Sequence, residues 1–222
     1  MSGSIKDLQR LIGHDFKDLS LLEMALTHSS TGKDRNYERL EFLGDRVLGV
    51  SIAEFLYTRF PDEDEGDLAK RLSALVQGSF LAKIAQDIEL GQYINFSDAE
   101  REAGGPQNDH ILADVFEGIL GALYLDAGLA PCQEWIKRLW KDDFFTMEEP
   151  PQHPKTELQE RAQSKGLDLP TYKIVRQSGP DHAPVFDVRL SVEGYEPIMA
   201  QGRSRQEAEK SVAQAFLDKN NL

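Results

Sequence analysis

The residues best suited to chemistry lie in two stretches, Asn36-Tyr37-Glu38-Arg39-Leu40-Glu41-Phe42-Leu43-Gly44-Asp45 and Ile111-Leu112-Ala113-Asp114-Val115-Phe116-Glu117-Gly118. A helix turns about 100° per residue, so with Glu38 as origin, Glu41 falls about 60° and Asp45 about 20° to the same side. Phe42, Leu48 and Ile52 border that acidic stripe. A fully solvated face would not be edged by such groups, so the carboxylates are expected to be partly buried. Buried neighbouring anions repel one another unless a proton or a cation neutralises them. Glu41 and Asp45 are one turn apart, about 6 Å along the axis, within reach of one ion. Glu38 is about 10 Å along the axis from Asp45 and is therefore peripheral.

The second stretch repeats the theme. Asp114 and Glu117 are three residues apart and share a helix face with Gly118 and Gly121. A glycine inside a helix costs about 1 kcal/mol relative to alanine, so two beside two acids point to a closely crossing backbone. Gly44 and Gly49 give the first helix matching small positions. The two helices are expected to bring Glu41, Asp45, Asp114 and Glu117 together. Four oxygen donors without histidine or cysteine suit a hard cation, magnesium by default, with manganese as a substitute. His14, His28, His110, His153 and His182 are scattered and Cys132 is alone, so zinc-ligand spacing is absent. A glycine-rich phosphate loop is absent too.

These acids need elements to hold them, and the pattern of the chain supplies two kinds. Helical periodicity runs from about Tyr37 to Arg59, from near Leu68, from near Ser79, from Ile111 to Leu125 and from Cys132 to Leu139. Ser20 with Glu23 reads as a capping box ahead of another helix. The stretch from Met147 to Pro154 carries three prolines in eight residues and reads as a linker. Beyond it, Thr156 to Lys165 is helical, and Val185 to Val192 alternates with Phe186, Val188, Leu190 and Val192 on one face. Tyr172 and Ile174 mark a preceding strand and Ile198 to Ala200 a following one; Ser204 caps a last helix. The expected architecture is multidomain: an all-α domain at 1–148, a linker at 149–153 and an α+β domain, α-β-β-β-α, at 154–222.

Charge is unevenly divided between these parts. The chain has 222 residues and a net charge of −13, yet residues 153–222 hold ten basic and ten acidic side chains. The whole acidic excess sits in the first 152 residues, with 28 Asp and Glu against 15 Lys and Arg. The longest apolar region, Ile111 to Ala130, is interrupted by Asp114, Glu117 and Asp126, so no membrane helix is expected. A lone cysteine and an N-terminus without an apolar signal core fit a cytoplasmic chain.

Glu38-Arg39-Leu40-Glu41-Phe42-Leu43-Gly44-Asp45 resembles the signature stretch of bacterial ribonuclease III, a double-stranded-RNA-specific endoribonuclease. Ile111-Leu112-Ala113-Asp114 with Glu117 resembles that family's second acidic motif, and Asp64-Glu65-Gly66 its loop glutamate. Residues 154–222 resemble a double-stranded-RNA-binding domain, in Pro154 to Glu160, Gly179 to His182 and Gly202 to Glu209. The resemblance implies a magnesium-dependent homodimer that hydrolyses duplex RNA and leaves 5′-phosphate and 3′-hydroxyl ends with short 3′ overhangs. Processing of ribosomal RNA precursors and other structured transcripts goes with it. Glu41, Asp45, Asp114 and Glu117 would be the metal-site residues, Asp45 and Glu117 among them catalytic, with Glu38 and Glu65 as accessory acids. Phe42 would dock into a second subunit. Lys155, Thr156, Gln159, His182, Arg203, Ser204, Arg205 and Lys210 would contact RNA.

Two stretches depart from the family's pattern. Pro106-Gln107-Asn108-Asp109-His110 stands where a basic loop is usual, and Gln206-Glu207 follow Arg205 where consecutive basic residues are usual. Two competing readings are a non-catalytic RNA-binding protein and an all-α enzyme using the run at Asp62 on diphosphate substrates. Intact acids at all four positions oppose the first. The second leaves residues 154–222 unexplained.

Overall fold

Ser4 opens the chain's first helix, its hydroxyl accepting from the Asp7 amide, and α1 spans Ile5–Ile12 in a computed structural model. The structure describes residues 4–146, 150–151, 154–180 and 184–220, leaving aside the side chains of 141–146. The next helix, α2 (Leu19–Ala25), is capped by Asp18, which accepts from the Ser20 amide. The expected Ser20–Glu23 capping box is thus displaced: Ser20 already lies inside the helix. Asp18 is held in place by Asp126, whose carboxylate accepts from the Lys17 and Asp18 amides at 3.1 and 2.9 Å and meets His14 Nε2 at 2.7 Å.

The long α3 (Glu38–Arg59) stops at Phe60, immediately before Pro61. Then α4 (Glu65–Val76) starts three residues ahead of the expected Leu68, because Asp64 accepts from the Asp67 amide and caps it. In the acidic run there, Asp62, Asp64 and Glu65 are exposed and Glu63 is the exception. Glu63 accepts two hydrogen bonds, at 2.6 and 2.8 Å, from Arg71, whose side chain is wholly buried with its guanidinium 3.8 Å from the centre of the Phe60 ring. After α5 (Gly78–Asp87) and the short α6 (Asp98–Glu102) comes α7 (Asp109–Ala127). Asn108 caps α7 by accepting from the His110 and Ile111 amides, so the non-basic loop serves as a helix start.

A buried helix must be apolar nearly all round. That describes α7, and it runs through the middle of the first unit, against α2, α3, α5 and α8 (Leu129–Thr146). Phe116 of α7 stacks on Trp135 at 4.9 Å and tilts against Trp140, whose indole N–H donates to the Leu75 carbonyl. Among the described residues of this unit, Met1–Pro151, the regular elements are α-helices, short 3-10 turns and one isolated bridge between Thr27 and Asn95.

The second unit, Gln152–Leu222, has its own core. Its order is α9 (Pro154–Ser164), β1 (Thr171–Ser178), β2 (Val185–Ser191), β3 (Ile198–Gly202) and α10 (Arg205–Asn220), the expected α-β-β-β-α. The sheet is antiparallel in sequential order. Val188, Leu190 and Val192 are buried under α10 together with Ala208, Val212 and Phe216. Because α10 packs across β2 and β3, the edge strand β1 is less covered, and Ile174 is 45% exposed. A register shift between Ile174 and Arg176 further breaks the alternation expected there.

Candidate metal centre and RNA-binding surface

Two glycines set how closely α3 and α7 cross. A methyl group at Gly44 would drive into the Glu117 carbonyl, and one at Gly121 into the Leu40 carbonyl. Gly118 faces the Tyr37 side chain, whereas Gly49 has open space around it and takes no part in the crossing. The close approach brings one carboxylate oxygen each of Glu41, Asp114 and Glu117 within 4.8 Å of one another. Asp45 sits one turn further along α3, but its carboxylate pairs with Arg46 and stands outside that trio. Glu38 is exposed at the start of α3, where the Asn36 side chain accepts from its amide. Glu65 is exposed in the first turn of α4 and is also outside the trio.

Burial, and for Glu41 and Glu117 the neighbouring anions as well, raises the proton affinity of all three acids. Burial, then the charges of Glu41 and Asp114, pushes Glu117 up to about 7, while Arg46 pulls the other way. Glu41 is raised by burial and by Asp114 and Glu38. Asp114 is raised by burial against the opposing influence of His110, His28 and a hydrogen bond from Tyr37. The Tyr37 phenol is held well above the ordinary tyrosine range by burial and by the surrounding acids, so it stays a donor. A cation relieves this repulsion as well as a proton does. The all-oxygen donor set fits a hard divalent ion.

Sequence reasoning missed the frame around the trio. Tyr37 is four residues before Glu41, one helical turn away, and is nearly buried beside His28. His28 is buried too: its Nδ1 accepts from the Ser30 amide and its ring packs on Tyr37 and Phe96. Arg46, with its guanidinium 5.2 Å from the centre of the Phe42 ring, supplies a positive charge beside Glu117. The spacing Tyr37–Glu41 was the one signal available. Nothing in the chain's order announces that His28 packs on Tyr37.

In the second unit, Lys155, Thr156 and Gln159 of α9 line a cavity of about 350 Å³ with Leu169, Pro170 and Tyr172. Arg203, Arg205 and Lys210 are exposed at and near the start of α10, and Ser204 caps it by accepting from the Glu207 amide. Lys155 and Arg205 both reach Glu209, at 2.5 and 2.7 Å. His182 lies outside the described residues.

Residues 18–143 match the family model described as Ribonuclease-III-like, and residues 154–220 match the Double-stranded RNA binding motif. The chain belongs to the ribonuclease III family. It is 48% identical over 221 residues to a Ribonuclease 3 of Caulobacter vibrioides, covering 97% of this chain and 96% of that one. A Ribonuclease 3 of Ehrlichia canis is 46% identical over 218 residues, with 96% of both chains covered. The solved nuclease domain of ribonuclease III from Campylobacter jejuni superposes with a TM-score of 0.61 at 42% identity, covering 64% of this chain and 99% of that one. Membership of the ribonuclease III family supports endoribonuclease activity on double-stranded RNA, and the second unit is the corresponding RNA-binding module. Among the described residues no helix is long and apolar enough to cross a membrane.

Proposed function

We propose that this ribonuclease III hydrolyses duplex RNA at the α3–α7 crossing with the help of magnesium, for which manganese substitutes. The observation that carries the proposal is the trio of crowded, partly buried carboxylates with raised proton affinity. Glu41, Asp114 and Glu117 would hold the ion, joined by Asp45, which is one turn from Glu41 on the same helix. When bound, such an ion supplies Lewis acidity toward the scissile phosphate and the attacking water. Glu117, deprotonated, also orients that water. Tyr37 holds Asp114 through its hydroxyl. Water adds to phosphorus, the bond to the 3′ oxygen breaks, and a proton passes to that oxygen. The products carry 5′-phosphate and 3′-hydroxyl ends.

The chain is read as 1–148, 149–153 and 154–222, the first part catalytic and the last binding. Lys155, Thr156, Gln159 and the loop at His182 meet minor grooves, and Arg203, Ser204, Arg205 and Lys210 the phosphates between. Glu38 and Glu65 assist at the substrate. The outer face of α3 carries Phe42, Val50 and Tyr57, which are 68%, 52% and 74% exposed. That face supports a homodimer in which Phe42 docks into the second copy, so that two centres cut opposite strands and leave short 3′ overhangs. Structured precursors of ribosomal and messenger RNA are suitable substrates, met in the cytoplasm.

The deciding experiment is incubation of a long RNA duplex with and without magnesium, followed by analysis of product ends. Magnesium-dependent short duplexes with 5′-phosphates are expected. Cleavage that persists in chelator, or 2′,3′-cyclic ends, overturns the mechanism.

A further inference from the structure

Two of the cations assigned above to RNA are not free. Lys155 Nζ lies 2.5 Å from Oε2 of Glu209, and Arg205 Nε donates to Oε1 of the same carboxylate at 2.7 Å. The Glu209 side chain is 8% exposed, while those of Lys155 and Arg205 are 34% and 66% exposed. Lys155 belongs to α9 and Arg205 to α10, so one buried carboxylate joins the two helices that carry the binding residues. A third contact fixes Lys155 further, its ammonium lying 4.9 Å from the centre of the Tyr172 ring.

The donor arithmetic leaves both cations useful. An ammonium has three donors and a guanidinium five, and each bond to Glu209 occupies one. Arg205 is bound through Nε, which leaves the outer edge of its guanidinium for a phosphate. The charge arithmetic points the same way. Two cations sharing one anion present a net charge of about one, so attraction to any polyanion is weakened while the spacing of the cations is held.

We infer that Glu209 is a specificity-determining positioning residue, which clamps Lys155 and Arg205 at a separation suited to A-form duplex RNA and suppresses their attraction to other nucleic acids. Sequence-independent binding to phosphates grows with the number of phosphates neutralised, whereas recognition of A-form geometry depends on where the donors stand. A clamp of this kind gives up the first to secure the second. The carboxyl group is suited to the task because its two partners hold it ionised, below the ordinary carboxylate range. This inference rests on the reading of residues 154–222 as a duplex-RNA module.

The test uses the full chain in chelator, where no cleavage occurs, with a 20-base-pair RNA duplex and a DNA duplex of the same sequence across a salt series. Glu209→Gln keeps the size of the side chain and removes its charge. It should bind the DNA duplex more tightly, reduce the preference for RNA by about threefold or more, and steepen the salt dependence. Glu209→Asp keeps the charge but is too short to reach both partners. It should reduce the preference for RNA with an unchanged salt slope, and it decides the matter if the glutamine variant does not fold. An unchanged RNA-to-DNA ratio in a folded variant overturns the clamp. A wild-type chain that shows no preference for RNA overturns the duplex-RNA reading itself, and the clamp with it.

Discussion

Carboxylates meet opposite fates in the two units. In the first, Glu41, Asp114 and Glu117 crowd within 4.8 Å, and each is pushed toward protonation. In the second, Glu209 is buried between Lys155 and Arg205 and is held ionised. Burial raises the proton affinity in both places, so the partners decide the outcome. A buried acid supplied with cations by its own chain has its charge balanced without any external ion. A cluster left short of cations has an unmet electrostatic demand, one that a bound cation would answer.

The most severe way to break this contrast is Glu117→Gln. It removes one anion, so cleavage of duplex RNA should fall by roughly a hundred- to thousandfold, read from single-turnover rates in magnesium. The same variant without divalent ions should melt at a higher temperature than wild type, because repulsion is relieved. A wild-type cleavage rate would remove Glu117 from the site.

Next in size is the crossing that enforces the crowding. Gly121→Ala should destabilise the first unit by about 2–3 kcal/mol in denaturant titrations, because the added methyl meets the Leu40 carbonyl. A loss below about 0.5 kcal/mol would mean that the helices can separate freely.

Glu209→Gln should shift stability in the direction opposite to Glu117→Gln. It leaves two cations facing a neutral amide, and the second unit should lose about 1–2 kcal/mol, since the exposed ends of both cations regain water. Thermal unfolding followed by residue-resolved NMR would separate the two units. A stabilising effect here would erase the contrast.

The smallest effect is in pH, and its sign differs between the units. Glu117 rises from an ordinary 4.5 to about 7 on folding, so its stabilising contribution is full below 4.5 and is lost as pH rises through about 7. Without divalent ions, the melting temperature of the first unit should therefore carry a component that falls from pH 4.5 to 8. Magnesium should restore most at pH 8. Glu209 is lowered, so its contribution is present above the ordinary carboxylate value and lost as pH falls through its folded one. A metal-induced rise in melting temperature that is equal at pH 5 and pH 8 would contradict the coupling at Glu117.

Much of this was legible in the sequence because it depends on periodicity. The acidic faces of α3 and α7 follow from residue spacing, and the paired glycines announced a close crossing that Gly44 and Gly121 make. The alternation of Val188, Leu190 and Val192 located the buried face of β2. What stayed hidden depends on partners distant in the chain. Asp18 displaced Ser20 as a cap because Asp126, more than a hundred residues away, holds the Asp18 amide. The partner of Glu63 stayed hidden because the burial of Arg71 against Phe60 cannot be read from local composition. Asp45 pairs with Arg46 and stands outside the trio, a side-chain orientation that a helical wheel does not contain.

The α3–α7 crossing also limits how this chain can vary over generations. At Gly44 and Gly121 every other amino acid carries at least the one carbon for which there is no room. A missense change in either codon therefore has no mild version, and no stepwise route leads through it to a new residue. Drift at these two positions is closed unless the opposing backbone moves first, and that backbone belongs to Leu40 and Glu117, the first a neighbour and the second a member of the acidic trio. Any change at the crossing must therefore begin in the backbone that carries the acidic trio.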